Sequence, residues 1–198
     1  MTTATDDFSK HLCIAGRVTQ AFREKGWNLI VVGGSALEFY TEGQYLSGDI
    51  DVCRRLGQPT IPPSVEREIM GRLNAESTGT RRQWKIDGVF IDLLGEIETA
   101  KAPNFRFLQT PEGEIQIMPA EEVLIERIFV AYSKTPPLKE ALTAAEKMIK
   151  AAFNMKEDFD WTYARNLAKS SAYDVGEKLD GLMERHLHKP NEKKDLEK

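Results

Sequence analysis

Two aspartates separated by one residue carry the clearest chemistry in the chain. Asp49 and Asp51 lie in a short apolar segment, Gly48-Asp49-Ile50-Asp51-Val52-Cys53, which is typical of a strand. Because strand side chains alternate between two faces, both carboxylates point to one side and Ile50 to the other. Two like charges at close range repel unless a cation compensates them, and Mg²⁺ takes such carboxylates together with substrate phosphates. The alternative is a strand end that places its acids in solvent.

A glycine-rich turn precedes this strand. Gly33-Gly34-Ser35 follows the apolar run at residues 27–32, a predicted buried strand, and leads into a predicted short helix at Ala36–Tyr40. Glycines let a backbone approach a phosphate closely, and the helix start offers free N–H groups and a positive dipole end. Ser35 can cap that helix or donate its hydroxyl to a phosphate. Taken alone, the turn is a weak signal, because most such turns only connect two elements.

A third acid occupies a later strand. Asp92 lies within Val89-Phe90-Ile91-Asp92-Leu93-Leu94, an otherwise apolar run. Burying a charge without a partner is costly, and a metal cluster would supply the partner. The alternatives are a position at a sheet edge or a pairing with a nearby arginine. Asp87-Gly88, just before this run, predicts the turn of a hairpin with residues 82–86.

In their order along the chain, these features resemble the DNA polymerase beta-like nucleotidyltransferase superfamily. The resemblance rests on Val31–Ala36, on Gly48–Val52 and on Asp92 as the later third carboxylate, and it extends over residues 28–128. It implies a metal-dependent enzyme that transfers a nucleoside monophosphate from a nucleoside triphosphate to a hydroxyl acceptor. The acceptor can be an RNA end, a protein side chain or a small molecule such as an aminoglycoside.

The resemblance also assigns roles to residues. Asp49 and Asp51 would hold Mg²⁺ or Mn²⁺ on the triphosphate, and Asp92 would complete a second metal site and help to deprotonate the acceptor hydroxyl. The turn Gly33-Gly34-Ser35 would cradle the phosphates. The competing hypothesis is an inactive member of the same fold that binds nucleotide or a partner protein. A chance match to a generic α+β domain is the third reading.

A finer resemblance concerns the minimal bacterial proteins of this superfamily, including those of abortive-infection and toxin–antitoxin systems. The segment Pro119–Arg127 is similar to the helix that follows their catalytic strands, and it places Arg127 where many relatives have a basic residue near the nucleotide. The toxin types often continue with a basic Arg-x-Lys-Asp stretch. Here Ser133–Lys139 reads Ser-Lys-Thr-Pro-Pro-Leu-Lys, so that stretch is absent or remodelled.

The pattern of elements predicts an α+β fold, a small mixed sheet flanked by helices and followed by a helical region. Residues 1–118 form the predicted core, 119–188 the helical region and 189–198 a disordered polar tail. Asp6 or Asp7 is expected to cap a first helix. Hairpins are predicted at residues 82–94 and 105–118, and a helix is expected from Pro119 to about Tyr132.

Composition narrows the functional classes. With 41% hydrophobic and 29% charged residues, the chain is neither disordered nor a fibrous repeat. A net charge of −4 disfavours broad coating of nucleic acid but leaves room for a local basic patch. Two cysteines are too few for a disulfide framework, and the sequence lacks a signal peptide or membrane span, so we expect a cytoplasmic protein. A partner protein or a homodimer remains open.

Basic and aromatic residues near the predicted site have two readings each. Arg54, Arg55, Arg81, Arg82 and Lys85 flank the acids in sequence and either hold a triphosphate or an RNA backbone, or form a solvated rim. Trp84 lies on a predicted strand, whose side chains alternate between two faces. It either stacks on a base or packs in the core.

Overall fold

A seven-stranded mixed sheet dominates the first part of the chain. The computed structural model describes residues 4–97 and 105–188. The strands are β1 (Leu29–Val31), β2 (Asp49–Arg54), β3 (Glu76–Ser77), β4 (Gln83–Ile86), β5 (Val89–Glu96), β6 (Arg106–Thr110) and β7 (Gly113–Ile117). Their order across the sheet is β3-β4-β5-β2-β1-β7-β6. The strands β2 and β5 are parallel, as are β1 and β7, and the other neighbours are antiparallel.

Helices precede, interrupt and follow this sheet. They are α1 (Ala4–Arg23), α2 (Gly33–Tyr40), α3 (Pro63–Arg72), α4 (Ala120–Tyr132), α5 (Lys139–Met155), α6 (Trp161–Ala168) and α7 (Gly176–His188), with a 3₁₀ turn at Lys156–Asp158. The predicted α+β class with a mixed sheet and a helical C-terminal region is therefore confirmed. The predicted tail at 189–198 lies outside the described residues.

Alternating burial along two central strands separates a core face from an open face. On β2, Ile50 and Val52 are fully buried, whereas Asp49 and Asp51 are half-buried. On β5, Ile91 and the other odd-numbered apolar residues are buried, while Phe90 and Leu94 are exposed. This period of two lets the same strands build the core and present side chains to solvent.

The turn that joins β4 to β5 matches its sequence signal. Asp87 and Gly88 have φ values of 50° and 87°, the positive values that a type I′ turn requires at both central positions. The second predicted hairpin joins β6 to β7, with Gly113 at a φ of 135°. Both hairpins thus form where glycine allows the backbone to reverse.

Three helix starts differ from their sequence signals. The helix α1 already begins at Ala4, so Asp6 and Asp7 lie in its first turn, where they favour the dipole, rather than at the cap. The helix α3 begins at Pro63, whose fixed φ suits the first helical position, so Ser64, a residue type that favours the cap, lies inside the helix and makes no capping bond. The helix α2 begins at Gly33, three residues before the predicted start.

Two compact units divide the chain, one ending at Val123 and the other beginning at Leu124. The boundary lies inside α4, whereas the change of pattern in the sequence falls at Pro119. Within the second unit, Asp160 caps α6 by accepting a hydrogen bond from the Tyr163 backbone N–H at 2.9 Å. Phe153 and Phe159 both pack against Trp161. Among the described helices, none combines the length and apolar character needed to cross a bilayer.

Candidate functional site

Three carboxylates converge on the open face of the sheet. Asp51 on β2 lies directly opposite Asp92 on the parallel neighbour β5, and Asp49 lies two residues before Asp51 on the same face. One oxygen from each of the three lies within 4.8 Å of the others, and all three residues are half-buried. The parallel pairing of β2 with β5 therefore brings together acids that are about forty residues apart in the chain.

The donor set suits a hard divalent cation. Carboxylate oxygens are the ligands that Mg²⁺ and Mn²⁺ prefer, and Mg²⁺ binds through one or two carboxylates plus substrate phosphates. Paired ions in phosphoryl-transfer sites lie about 3.5–4 Å apart, a separation that a cluster of this size can bridge. Partial exposure of Asp49, Asp51 and Asp92 leaves room for further oxygen ligands from a bound molecule.

Gly33 and Gly34 are required by close contact with the acidic strand. Gly33 has a φ of +60°, and a Cβ built on it would lie 2.9 Å from Oδ2 of Asp51. A Cβ on Gly34 would lie 2.8 Å from the hydroxyl oxygen of Ser47. Because neither gap admits a side chain, the start of α2 approaches the carboxylates as closely as a backbone can. The first N–H groups of a helix have no partner within it, and at α2 they lie close to the acids.

Ser35 connects α2 to the backbone of β2. Its hydroxyl donates to the carbonyl oxygen of Asp49 and accepts from the N–H of Asp51, both at 2.9 Å, and its side chain is fully buried. Val32 is the N-cap of α2, and its carbonyl accepts the first helical bond from the N–H of Ala36. The hydroxyl of Ser35 is therefore neither the helix cap nor a phosphate contact. It fixes the strand that carries two of the acids.

A chain of hydrogen bonds that begins at the buried Glu38 supports Asp49. The hydroxyl of Ser47 donates to Oδ1 of Asp49 at 3.1 Å, and the N–H of Ser47 donates to Oε2 of Glu38 at 2.9 Å. Glu38 is fully buried, and its other oxygen lies 2.9 Å from Nδ1 of His11. The sequence interpretation missed these residues. The available signal was Glu38 itself, a charged residue inside the apolar helix Ala36–Tyr40, which requires a buried partner.

We expect Ser47→Ala to weaken the metal affinity of the site while leaving the fold stable. The hydroxyl orients the Asp49 carboxylate, and loss of such an outer contact typically lowers metal affinity about 10–100-fold. Titration of the protein with Mn²⁺ in the presence of a nucleoside triphosphate measures the change. Ser64→Ala is the matched control, because Ser64 is exposed on α3 and makes no capping bond. Equal Mn²⁺ affinity in both variants would contradict a positioning role for Ser47.

Arg127 lies in the second compact unit, on α4, and is partly buried. Its guanidinium donates to Oε1 of the adjacent Glu126 at 3.0 Å. The buried Nε of Arg127 has no hydrogen-bond partner among the described residues. The predicted contact of Arg127 with a nucleotide stays a prediction.

Trp84 lies on the core side of its strand. It is opposite Ile91 in the β4–β5 register, whereas Gln83 is opposite Asp92. Its indole N–H donates to Oε1 of the buried Glu66 on α3 at 2.9 Å. Of the two readings of Trp84, the structure supports packing against α3, because the indole and the acids occupy opposite faces.

Arg54, at the end of β2, has a structural partner. Its guanidinium donates to Oε2 of Glu96 at 3.2 Å and to the carbonyl oxygen of Gln58. The N–H of Gly57 also donates to Glu96, and this bond, together with the charge of Arg54, lowers the pKa of the Glu96 carboxyl. Arg54 therefore fastens β2 to β5 beyond the acids, and Arg81 and Arg82 are the basic residues that share a cavity with Asp92.

Comparison with known proteins assigns the fold. No protein-family model matches the sequence, and a search of curated proteins finds no match. An antigenic nucleotidyltransferase-like protein from Paracoccidioides brasiliensis superposes with a TM-score of 0.59 at 13% identity, covering 90% of this chain and 93% of that one. The antibiotic-resistance factor ANT(2'')-Ia superposes with a TM-score of 0.50 at 14% identity, covering 92% and 100%. The chain therefore has a nucleotidyltransferase fold.

Proposed function

We propose that this protein is a metal-dependent nucleotidyltransferase that moves a nucleoside monophosphate from a nucleoside triphosphate to a hydroxyl acceptor. The observation that carries the proposal is the cluster of Asp49, Asp51 and Asp92 beside the start of α2. The nucleotidyltransferase fold of the chain adds support. A bound cation would compensate the three like charges on this open face and would link them to a polyphosphate.

Each residue of the site has a part in this proposal. Asp49 and Asp51 would hold Mg²⁺ or Mn²⁺, and Asp92 would hold a second ion and take the proton of the acceptor hydroxyl. When bound, such ions supply positive charge to the attacking and leaving oxygens of an in-line displacement. The backbone N–H groups of Gly33, Gly34 and Ser35 would bind the phosphates at the start of α2.

Rigid support makes this chemistry efficient. Phosphoryl-type transfers depend on positioned charges more than on covalent catalysis, so displaced carboxylates lose much of their effect. Ser35 holds the backbone of Asp49 and Asp51, and Ser47 holds the side chain of Asp49. Both serines therefore act as positioning residues within the proposal.

We also propose the finer assignment to minimal bacterial proteins of the toxin–antitoxin type. A cytoplasmic location is part of that proposal. Its support is the motif at Val31–Ala36 and Gly48–Val52 and the acidic, leucine-containing start of α4. That assignment includes binding to a partner protein or to a second copy of the chain. It also includes a contact between Arg127 and the nucleotide.

A second candidate function is an inactive nucleotide-binding or partner module. The observation that favours it is the segment Ser133–Lys139, which lacks the basic stretch of the toxin types. The half-buried Arg127, paired with Glu126, also has a structural use in its own helix. Such a module would bind nucleotide without turnover.

A thermal-shift panel with ATP, GTP, CTP and UTP, each with and without Mg²⁺, tests the proposal. A ligand at a hundredfold excess over its Kd stabilises the native state by about 2.7 kcal/mol. For a chain of this size that corresponds to a rise in Tm of about 5–10 °C. We expect such a shift with at least one nucleotide and only with Mg²⁺. No shift with any of the four would contradict the proposal, and a shift without later label transfer would favour the inactive module.

A further inference from the structure

A cavity of about 400 Å³ opens beside Asp92, between the end of β5 and the chain that leads into β4. It is lined by the segments Thr80–Gln83 and Asp92–Gly95. Its polar wall comes from the chain leading into β4, and its other wall comes from β5. Asp92 is thus shared between the acidic cluster and this cavity, so a molecule in the cavity would reach the carboxylate directly.

Two arginines give this cavity a positive wall. Arg81 is exposed and Arg82 is half-buried, and neither side chain makes a hydrogen bond or ion pair with another residue of the described parts of the chain. Arg54, by contrast, is fastened to Glu96. Arg82 also has a φ of 62°, a conformation that an arginine rarely adopts, and its carbonyl accepts from the N–H of Leu93. Because neither guanidinium group has a partner among the described residues, both are available to bind an anion.

The sheet order separates this positive wall from the proposed phosphate site. The strands run β4, β5, β2, β1, so Asp92 stands between the acids of β2 and the residues of β4. Gly33 lies against Asp51 on β2, two strand spacings from β4 or about 10 Å away. The start of α2 lies against Asp51, and the arginines lie beyond Asp92. A phosphate bound at the start of α2 would therefore lie on the other side of Asp92 from the arginines.

We propose that Arg81 and Arg82 bind a phosphate group of the acceptor, so that the acceptor is a phosphorylated molecule whose hydroxyl lies at Asp92. This inference rests on the proposed nucleotidyl transfer and names its acceptor class. Guanidinium groups bind phosphate through paired, charge-assisted hydrogen bonds. An aminoglycoside carries several ammonium groups and would meet like charge at this wall. Leu94, which is 45% exposed, adds an apolar surface for a sugar or base.

Two phosphate-bearing probes and one cationic probe test this proposal on the full chain. The probes are a fluorescein-labelled ten-residue oligoriboadenylate with a free 3′-hydroxyl, ribose 5-phosphate, and tobramycin. Each is titrated with Mg²⁺ and a saturating non-hydrolysable analogue of the nucleotide that gives the thermal shift, so that the donor site is filled. The variant is R81E/R82E. The matched control is R67E/R72E, which makes the same charge change at exposed positions on α3, outside the cavity.

We expect at least one phosphate-bearing probe to bind the wild type more tightly than tobramycin does. Its affinity should fall by about tenfold or more in R81E/R82E and by less than about twofold in R67E/R72E, because the lost bonds are charge-assisted. Binding of the oligonucleotide alone assigns the acceptor as an RNA end, and binding of ribose 5-phosphate assigns a small sugar phosphate. If R81E/R82E does not fold, R81Q/R82Q removes the same two charges without adding acids beside Asp92.

Three results would overturn the inference. They are tighter binding of tobramycin than of both phosphate-bearing probes, binding of neither phosphate-bearing probe, and unchanged phosphate binding in the arginine variants. Loss of the Mg²⁺–nucleotide thermal shift in R81E/R82E would be a fourth such result, since the arginines would then hold the donor. A wild type that binds the oligonucleotide through the arginines but shows no Mg²⁺–nucleotide shift would instead contradict the proposed function, and would leave a phosphate site without an acceptor role.

Discussion

Asp51→Asn should abolish the Mg²⁺-dependent stabilisation by a nucleoside triphosphate and leave the fold intact. Asparagine keeps the shape of the side chain but removes the negative charge that a hard cation requires. The loss would amount to the whole of the about 2.7 kcal/mol expected at a hundredfold excess of ligand. Asp51 lies at the centre of the cluster, opposite Asp92 and two residues from Asp49, so no other described carboxylate of the cluster replaces it.

The same substitution should leave the metal-free protein as stable as the wild type or slightly more stable. Removing one of three like charges at close range lowers their mutual repulsion when no cation is bound. Urea unfolding with a chelator measures this change. Asp87→Asn is the matched control, because Asp87 is an exposed acid in the β4–β5 turn whose positive φ suits asparagine. A wild-type nucleotide shift in Asp51→Asn, or its loss in Asp87→Asn, would exclude the assigned role.

Gly33→Ala is the second change with a large expected effect. The new Cβ would lie 2.9 Å from Oδ2 of Asp51, and the φ of +60° is unfavourable for alanine by about 1 kcal/mol. We expect the free energy of unfolding to fall by about 1–2 kcal/mol. We also expect the nucleotide shift to be lost, because relief of the contact moves either the Asp51 carboxylate or the start of α2. Urea unfolding and the thermal-shift panel measure the two effects.

Gly71→Ala provides the control for this prediction. Gly71 lies in α3, has no positive φ, and a Cβ there meets nothing within 4 Å. Alanine at that position should raise the free energy of unfolding by up to about 1 kcal/mol, since it is the better helix former. Its nucleotide shift should equal that of the wild type. If Gly33→Ala behaved like Gly71→Ala, the close approach of α2 to Asp51 would have no functional weight.

Local periodicity explains what could be predicted about the fold. The alternation around Asp49 and Asp51 fixed both the strand and its acidic face, and Asp87-Gly88 specified a turn that only positive φ values satisfy. The helix start at Gly33 was placed three residues late, because an apolar helix pattern does not reveal a first turn made of glycines. The strand, the turn and the helix were each predicted from residues that are near one another in sequence.

Long-range contacts explain what the sequence concealed in the site. Ser35 carries a hydroxyl that suits a cap, yet β2 lies close enough to take both of its hydrogen bonds. Ser47 and Glu38 support Asp49 only because the chain folds back between α2 and β2. Trp84 could not be assigned to the face opposite Asp92 until the β4–β5 register was known. These are tertiary facts that no local pattern encodes.

The most direct test of the central claim measures how tightly the three aspartates hold a divalent ion. Electron paramagnetic resonance measures free Mn²⁺ during titration of the wild type, Asp51→Asn and Asp87→Asn, each with a saturating non-hydrolysable analogue of the nucleotide that gives the thermal shift. A titration of the analogue alone gives the Mn²⁺ that it binds without protein. The account predicts that wild type and Asp87→Asn bind Mn²⁺ with equal affinity. It also predicts that Asp51→Asn loses at least about a hundredfold in that affinity. Equal Mn²⁺ binding by all three proteins, or no binding by the wild type, would contradict it.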